Sequence, residues 1–277
     1  MPTIADKRRT FRKLHETGCF VIPNPWDIGS ARYLQHLGFK ALATTSAGFA
    51  FTRALPDGDV PRDMMLAHIR EIVEATDLPV NADFGEGFAH DPAGVAESVR
   101  LCGETGVAGL SIEDATGDRG EPLYDLDTAV QRVRSARAAI DKAGGDVLLV
   151  GRCECFLVGK PDIVETVARL KAYSNAGADC LYAPGIRTGE EVAAVVEAAG
   201  PKPVNVIRSS AAGLSVAELA ALGVRRISVG SAFARAAWGA FMKAAQEIMT
   251  DGRFDALAGA TPNAELNKLF RDDPRQT

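Results

Sequence analysis

The stretch LPVNADFGEGFAHDPAGVAESVRLCGETGVAGLSIED, residues 78–114, decides the architecture of this chain. It opens on a short apolar run (78–84) and closes on another (108–114). Each run ends in acid: Asp83 with Glu86 just beyond it, then Glu113 with Asp114. Both are too short for independent helices and rich in β-formers, as strands buried on both faces are. Between them, Asp91 and Pro92 open an amphipathic stretch that runs to Gly106. A capping acid, a proline in the first turn and a closing glycine are helix-end chemistry. Strand, helix, strand is the parallel crossover unit.

The same grammar recurs along the chain. Further apolar runs are CFVIP (19–23), KALATTS (40–46), DVLLVGRC (146–153), CLYAPG (180–185), PVNVIR (203–208) and RRISVG (225–230). Helices are predicted over 30–37, 61–75, 127–143, 161–176, 190–199 and 215–222, and the N-terminal MPTIADKRRTFRKLHETG is polar and helix-like. Eight strands alternating with helices predict an α/β fold, a closed (β/α)8 TIM barrel. An open doubly wound sheet is the rival; it would carry a glycine-rich nucleotide loop after an early strand, where this chain has NPWDIGSA. No linker or low-complexity segment interrupts the pattern, so residues 1–277 read as a single barrel domain with a C-terminal helical extension over 233–277. The extension holds a helix over 233–250, a short piece at 255–259 and a polar tail. Its AFARAAWGAFMKAAQEIM is apolar on nearly every side and needs partners on more than one. A homo-oligomer, a tetramer, is therefore expected, unless 255–270 folds back over the second face.

Composition bounds the function. The chain has 277 residues, with 31 Lys plus Arg against 36 Asp plus Glu, a formal charge of −5. It is 47% hydrophobic and 24% charged, which is globular and not disordered composition. Without a basic cluster, nucleic acid is not an expected partner. No apolar run approaches the roughly 18 residues of a membrane span. The polar N-terminus lacks a signal-peptide core, and five cysteines, an odd number, sit in apolar segments. Both features predict a cytoplasmic protein with free thiols.

In a barrel, function gathers at the C-terminal ends of the strands. Asp57, Asp83, Glu86 and Glu113 place carboxylates around one mouth, where a hard divalent cation would relieve their repulsion. Arg152 ends the fifth strand, and its planar fork suits a substrate carboxylate. Thr44, Thr45, Ser46, Ala47 and Gly48 form a turn offering hydroxyls and N–H groups to a second anionic end. No lysine stands at a strand end, which disfavours a Schiff-base aldolase. His15, His36 and His68 are expected on the outside of the barrel and His90 in a solvated loop, so a histidine zinc site is unsupported. Cys153 and Cys155 are read as facing opposite ways, and their spacing is not that of a CxxC redox or zinc pair.

These residues resemble the isocitrate lyase / phosphoenolpyruvate mutase superfamily from about Pro23 to Gly230. The likeness is carried by VIPNPWDIGSAR, ATTSAGFA with LPDGD, LPVNADFGEGF, GLSIEDATG, LLVGRCECF, AYSNAGADCLYAPG and PVNVI, in that order. It implies a Mg²⁺-dependent barrel, with Mn²⁺ as a substitute, usually tetrameric with its last helices exchanged between subunits. Asp83 would be the direct metal ligand, with Asp57 and Glu113 holding metal-bound waters and Glu86 a further acid. Arg152, Thr45, Ser46, Ala47, Gly48 and Asn205 would meet the substrate.

The implied chemistry is cleavage of a C–C bond in a small 2-oxo or 2-hydroxy dicarboxylic acid, oxaloacetate-like or alkylmalate-like, through a metal-bound enolate. The alternatives are a phosphonopyruvate-type C–P bond enzyme and a catalytically weakened binding protein. Three departures bear on the choice. Gly85 stands where many members have a second acid, and Cys153-Glu154 where many have Thr-Asp. The loop 115–127, a candidate lid, has no Cys, His or Lys, which leaves Tyr124, Glu86 and a metal-bound water as proton donors.

Overall fold

The computed structural model describes residues 1–273 and 275. Eight parallel strands form its sheet: β1 (Phe20–Ile22), β2 (Leu42–Ala43), β3 (Val80–Asp83), β4 (Gly109–Glu113), β5 (Leu148–Arg152), β6 (Cys180–Tyr182), β7 (Val204–Ile207) and β8 (Arg226–Ser228). Their order, β1-β8-β7-β6-β5-β4-β3-β2, is that of a (β/α)8 TIM barrel. The seam between β1 and β2 is drawn together just past the strand ends, where the Ala43 N–H donates to the Pro23 carbonyl at 3.0 Å. The Asn24 amide donates to the Thr44 carbonyl at 2.8 Å across the same seam.

Helices α1 (Ile4–Leu14), α2 (Ile28–His36), α3 (Ser46–Thr52), α4 (Arg62–Ala75), α5 (Pro92–Glu104), α6 (Leu126–Lys142), α7 (Ile163–Asn175), α8 (Gly189–Ala199) and α9 (Val216–Ala221) accompany the strands. Their starts follow from side-chain caps: Asp91 accepts from Gly94, Asp125 from Thr128, and Thr188 with Glu191 forms a reciprocal box. No helix among the described residues is long and apolar enough to cross a membrane.

The polar N-terminus closes the bottom of the barrel. Lys7 donates to the carbonyls of Val73 and Thr76, Arg8 to those of Gly103 and Val107, and Arg12 to that of Gly145. Cations at helix C-terminal carbonyls are favourable placements. Thus anchored, α1 inserts Phe11, fully buried, among Ile22, Ala108, Leu148 and Val150. Glycine at 109 makes room: a Cβ there would stand 2.7 Å from the Phe11 ring.

Two histidines depart from expectation. His36 is exposed, but His15 and His68 are buried, at 6% and 3% exposure. His15 closes α1 against Phe11 and Phe20, and His68 stacks on Phe49 with ring centroids 3.8 Å apart. Helical periodicity gave no sign of these neighbours, because α1 caps the barrel and α3 covers α4. Burial pushes His15 down to about 3, helped by Arg226, and His68 down to about 4. The unfolded chain therefore binds more protons below about pH 6.5, and stability must fall as acid is added. Each histidine should contribute a slope approaching 1.4 kcal/mol per pH unit between about 6 and 4. Denaturant titrations at several pH values, with His15→Gln as comparison, check this; equal slopes for the two proteins would count against it.

Cys153 and Cys155 do not face opposite ways: residues two apart return to the same side of an extended segment, and just past β5 the two sulfurs lie together, 3.5 Å apart. Past β8, α10 (Ala232–Asp251) leads to a 3-10 turn (Asp255–Gly259) and α11 (Asn263–Arg271), a helix where the sequence read as a polar tail. Only Ala234 and Ala244 of α10 are buried. The chain end does return to the barrel, where Phe270 approaches Gly29 and Arg32 pairs with Asp273 at 3.4 Å, but α11 itself buries no residue.

Candidate active site

A cavity of about 570 Å³ opens at the C-terminal mouth. Strand alternation sends Asp83, Glu113 and Arg152 inward, and Asp114, next to Glu113, outward. Asp83 is the hub. One carboxylate oxygen accepts from the Ser46 N–H at 3.0 Å and its hydroxyl at 3.1 Å; the other accepts from Arg152 Nη1 at 3.1 Å. The Ser46 hydroxyl also lies 2.9 Å from Asp57. Arg152 Nη1 is 3.0 Å from Glu113, and its Nε donates to Glu154.

Charge at this mouth is unbalanced, with Asp57, Asp83, Glu113 and Glu154 gathered about one guanidinium and Glu86 beside them on the cavity wall. Burial pushes the Glu113 carboxyl up, against the pull of Arg152 and with the help of Glu154, Asp83 and Glu86. Asp57 keeps an outer edge open to solvent, yet crowding by the protein and by Asp83 raises it too. Burial also raises Glu154, which Arg152 opposes.

The turn after β3 settles where Glu86 points. Gly85, Gly87 and Phe88 have φ of +54°, +86° and +56°, so the chain coils tightly and Glu86 lines the cavity. Glycine at 85 suits that left-handed backbone, where a second acid would be strained. From α6, the buried Arg132 guanidinium clamps the turn by donating to the carbonyls of Glu86, Ala89 and His90. Nothing in the local sequence marked Arg132, since its partners lie some forty residues away in the chain.

The other candidates divide. Thr45, Ser46, Ala47 and Asn205 line the cavity. Thr45 caps α3, so the supposed turn is a helix start, and the Gly48 N–H is taken by the Thr45 hydroxyl at 3.2 Å. Gly48 packs toward Trp26 and Ala234, away from the cavity lining. Tyr124 lies on a neighbouring cavity, with Arg132 over its ring at 4.1 Å. Its hydroxyl meets His90 Nδ1 at 2.6 Å, and His90 lines both cavities. Sequence reading set His90 in a solvated loop, met Glu154 only as a departure from the family pattern, and passed over Arg226; a basic residue alternating inward with Ser228 on β8 was the available signal for the last.

The sequence profile described as phosphoenolpyruvate phosphomutase matches residues 11–249. The chain belongs to the phosphoenolpyruvate mutase family. Among solved structures of this family, one from Burkholderia cenocepacia J2315, provisionally named a lyase/mutase, is 50% identical with a TM-score of 0.94 over 97% of each chain. An oxaloacetate acetylhydrolase in complex with its product oxalate is 27% identical, with a TM-score of 0.84 over 96% of this chain and 94% of the other. An oxaloacetate decarboxylase of Paraburkholderia xenovorans (strain LB400) is 30% identical over 69% of this chain and 65% of its own length. Phosphoenolpyruvate mutase relatives are thus lyases, hydrolases and mutases of small acids.

Arg152 offers a direct check of the site. Lysine there keeps the charge but loses the fork that spans Asp83, Glu113 and Glu154. If the site turns over an acid, Arg152→Lys should lower kcat/KM about a hundredfold, roughly 2.7 kcal/mol. Steady-state kinetics decides it, and unchanged constants would leave Arg152 a structural residue.

Proposed function

We propose that this chain is a Mg²⁺-dependent lyase or hydrolase that cleaves a C–C bond of a small 2-oxo or 2-hydroxy dicarboxylic acid, with Mn²⁺ as an alternative metal. The observation that carries this reading is the excess of carboxylates around Asp83, facing a cavity that also holds Arg152. Among the described residues no three acidic, histidine or cysteine side chains form a ready cage for a metal. Mg²⁺ does not need one, because it takes one or two carboxylates and keeps several waters. The all-oxygen character of the donors fits it.

In this reading Asp83 is the direct ligand, while Asp57, Glu113 and Glu86 hold water. The cation would offset negative charge as it develops on the substrate oxygens. Arg152 holds the substrate carboxylate, with Glu154 orienting its guanidinium from behind. The Ser46 hydroxyl and the Ala47 N–H at the start of α3 orient the oxo-acid end. His90, paired with Tyr124 at the rim, is placed to hold a proton. A panel of 2-oxo and 2-hydroxy acids with Mg²⁺ or Mn²⁺, read by product NMR, tests the proposal. Turnover of phosphonopyruvate alone would replace it with C–P chemistry, and no metal binding at millimolar concentration would defeat it.

The proposal extends to assembly as a homo-oligomer, a tetramer by the resemblance. Its support is α10, which leaves Trp238 39%, Phe241 61%, Met242 61% and Met249 87% exposed. Apolar exposure of this kind marks an interaction surface. Light scattering at micromolar concentration should give a multiple of the chain mass, and a monomer would refute assembly.

A further inference from the structure

Arg226 sits on β8 with its side chain inside the barrel, only 3% exposed. Its Nε donates to the Asn205 side-chain oxygen at 2.9 Å, and Nη1 to that of Asn81 at 3.3 Å. Asn205 in turn donates to the Ser228 hydroxyl at 3.0 Å. All these partners are neutral. The ionisable groups that bear on Arg226 are the Cys180 thiol and the Tyr182 phenol, and burial pushes both up, so neither carries charge near neutrality. No carboxylate of the described residues lies in ion-pair range of it, in contrast to Arg152, which has three. Only two of its five donors meet protein acceptors among the described residues.

An unpaired buried cation is expensive, and interiors pair or neutralise such groups. Nothing below can do so here, because the barrel is closed by Phe11 and by a neutral His15. Above, Arg226 borders the same cavity as Asp83, Glu113 and Arg152. Asn81 precedes Asp83 by two residues on β3, so the guanidinium lies about one layer, roughly 6.6 Å, beneath the acids. Asn81, Asn205, Ser111 and Ser228 make that layer polar where a barrel interior is commonly filled by branched apolar side chains.

We propose that Arg226 is the floor anchor for a distal carboxylate of the ligand, so that the cavity selects short di-acids lying along the barrel axis, one end at Arg152 and the other at Arg226. The proposal rests on the reading of the mouth as an oxo-acid site. Its recognition is a charge-assisted, forked hydrogen bond in a dry setting, where such contacts are strongest.

Calorimetric binding in Mg²⁺ buffer separates the possibilities. Oxalate probes the mouth, 2-oxoglutarate probes mouth and floor together, and 2-oxoglutaramate has an amide in place of the distal carboxylate. The wild-type protein should bind 2-oxoglutarate at least thirtyfold more tightly than 2-oxoglutaramate. Arg226→Gln should abolish that preference and leave oxalate affinity within twofold, while Arg226→Lys should retain part of it. Equal wild-type affinity for 2-oxoglutarate and its amide, with oxalate bound, overturns the floor anchor alone. Equal loss of oxalate and 2-oxoglutarate in Arg226→Gln overturns it too, as does an unchanged preference. Failure of the wild-type protein to bind oxalate overturns the reading of the mouth itself. The wild-type comparison needs no variant, so it stands even where Arg226→Gln fails to fold.

Discussion

Replacing Asp83 by alanine should remove activity almost completely, by about a thousandfold or more, which is roughly 4 kcal/mol of barrier. The same change should spare the fold. Asp83 stands on a cavity wall, and its neighbours remain satisfied without it: Arg152 keeps Glu113 and Glu154, and Ser46 keeps Asp57. Mg²⁺ titration followed by calorimetry and product NMR is the measurement. A variant that still binds Mg²⁺ and turns over at near wild-type rates would remove Asp83 from the centre of the site. Assays of Asp57→Ala beside it should show a smaller loss, since Asp57 reaches the site through Ser46 from an exposed loop.

The second large effect is expected one residue from the cavity. Asp114 is 2% exposed and accepts from the Glu154 N–H at 2.7 Å, Arg169 Nη1 at 3.2 Å and the Tyr173 hydroxyl at 2.5 Å. Removing it strands a guanidinium whose side chain is 8% exposed. Breaking a buried pair from one side costs about 3–5 kcal/mol. For a chain of this size that corresponds to a fall in Tm of about 10 °C. Asp114→Ala should therefore unfold early by circular dichroism, and Asp114→Asn should lose less. An unchanged melting curve would show that Arg169 is held by Glu165 and the Tyr124 carbonyl alone.

Adjacent acids thus carry separate duties, and sequence alone could foresee only part of this. All eight strands were legible, because buried parallel strands leave short apolar runs. Cys153 and Cys155 were set on opposite faces against strand alternation, which returns residues two apart to the same side, where their sulfurs meet. The acids that line the cavity were legible because inward side chains at strand ends meet at the barrel mouth. Their supports were not: Arg132 reaches the Glu86 turn from α6, and Glu154 folds back onto Arg152. Such contacts depend on how helices pack against strands, which no local pattern encodes. Arg226 was missed because it lies toward the start of its strand, away from the end where chemistry was sought.

The insertion of Phe11 into the barrel base has a kinetic meaning. Among the described residues it leaves the cavity a vessel open at the mouth alone. Under the proposed cleavage, one molecule entering and two fragments leaving would share that passage, and the fragment nearer the rim would depart before the one beneath it. Release would accordingly be sequential. The last fragment out competes with incoming substrate for the empty vessel, whereas the first one out inhibits noncompetitively, so product-inhibition patterns would reveal which end of the cleaved acid lies deepest.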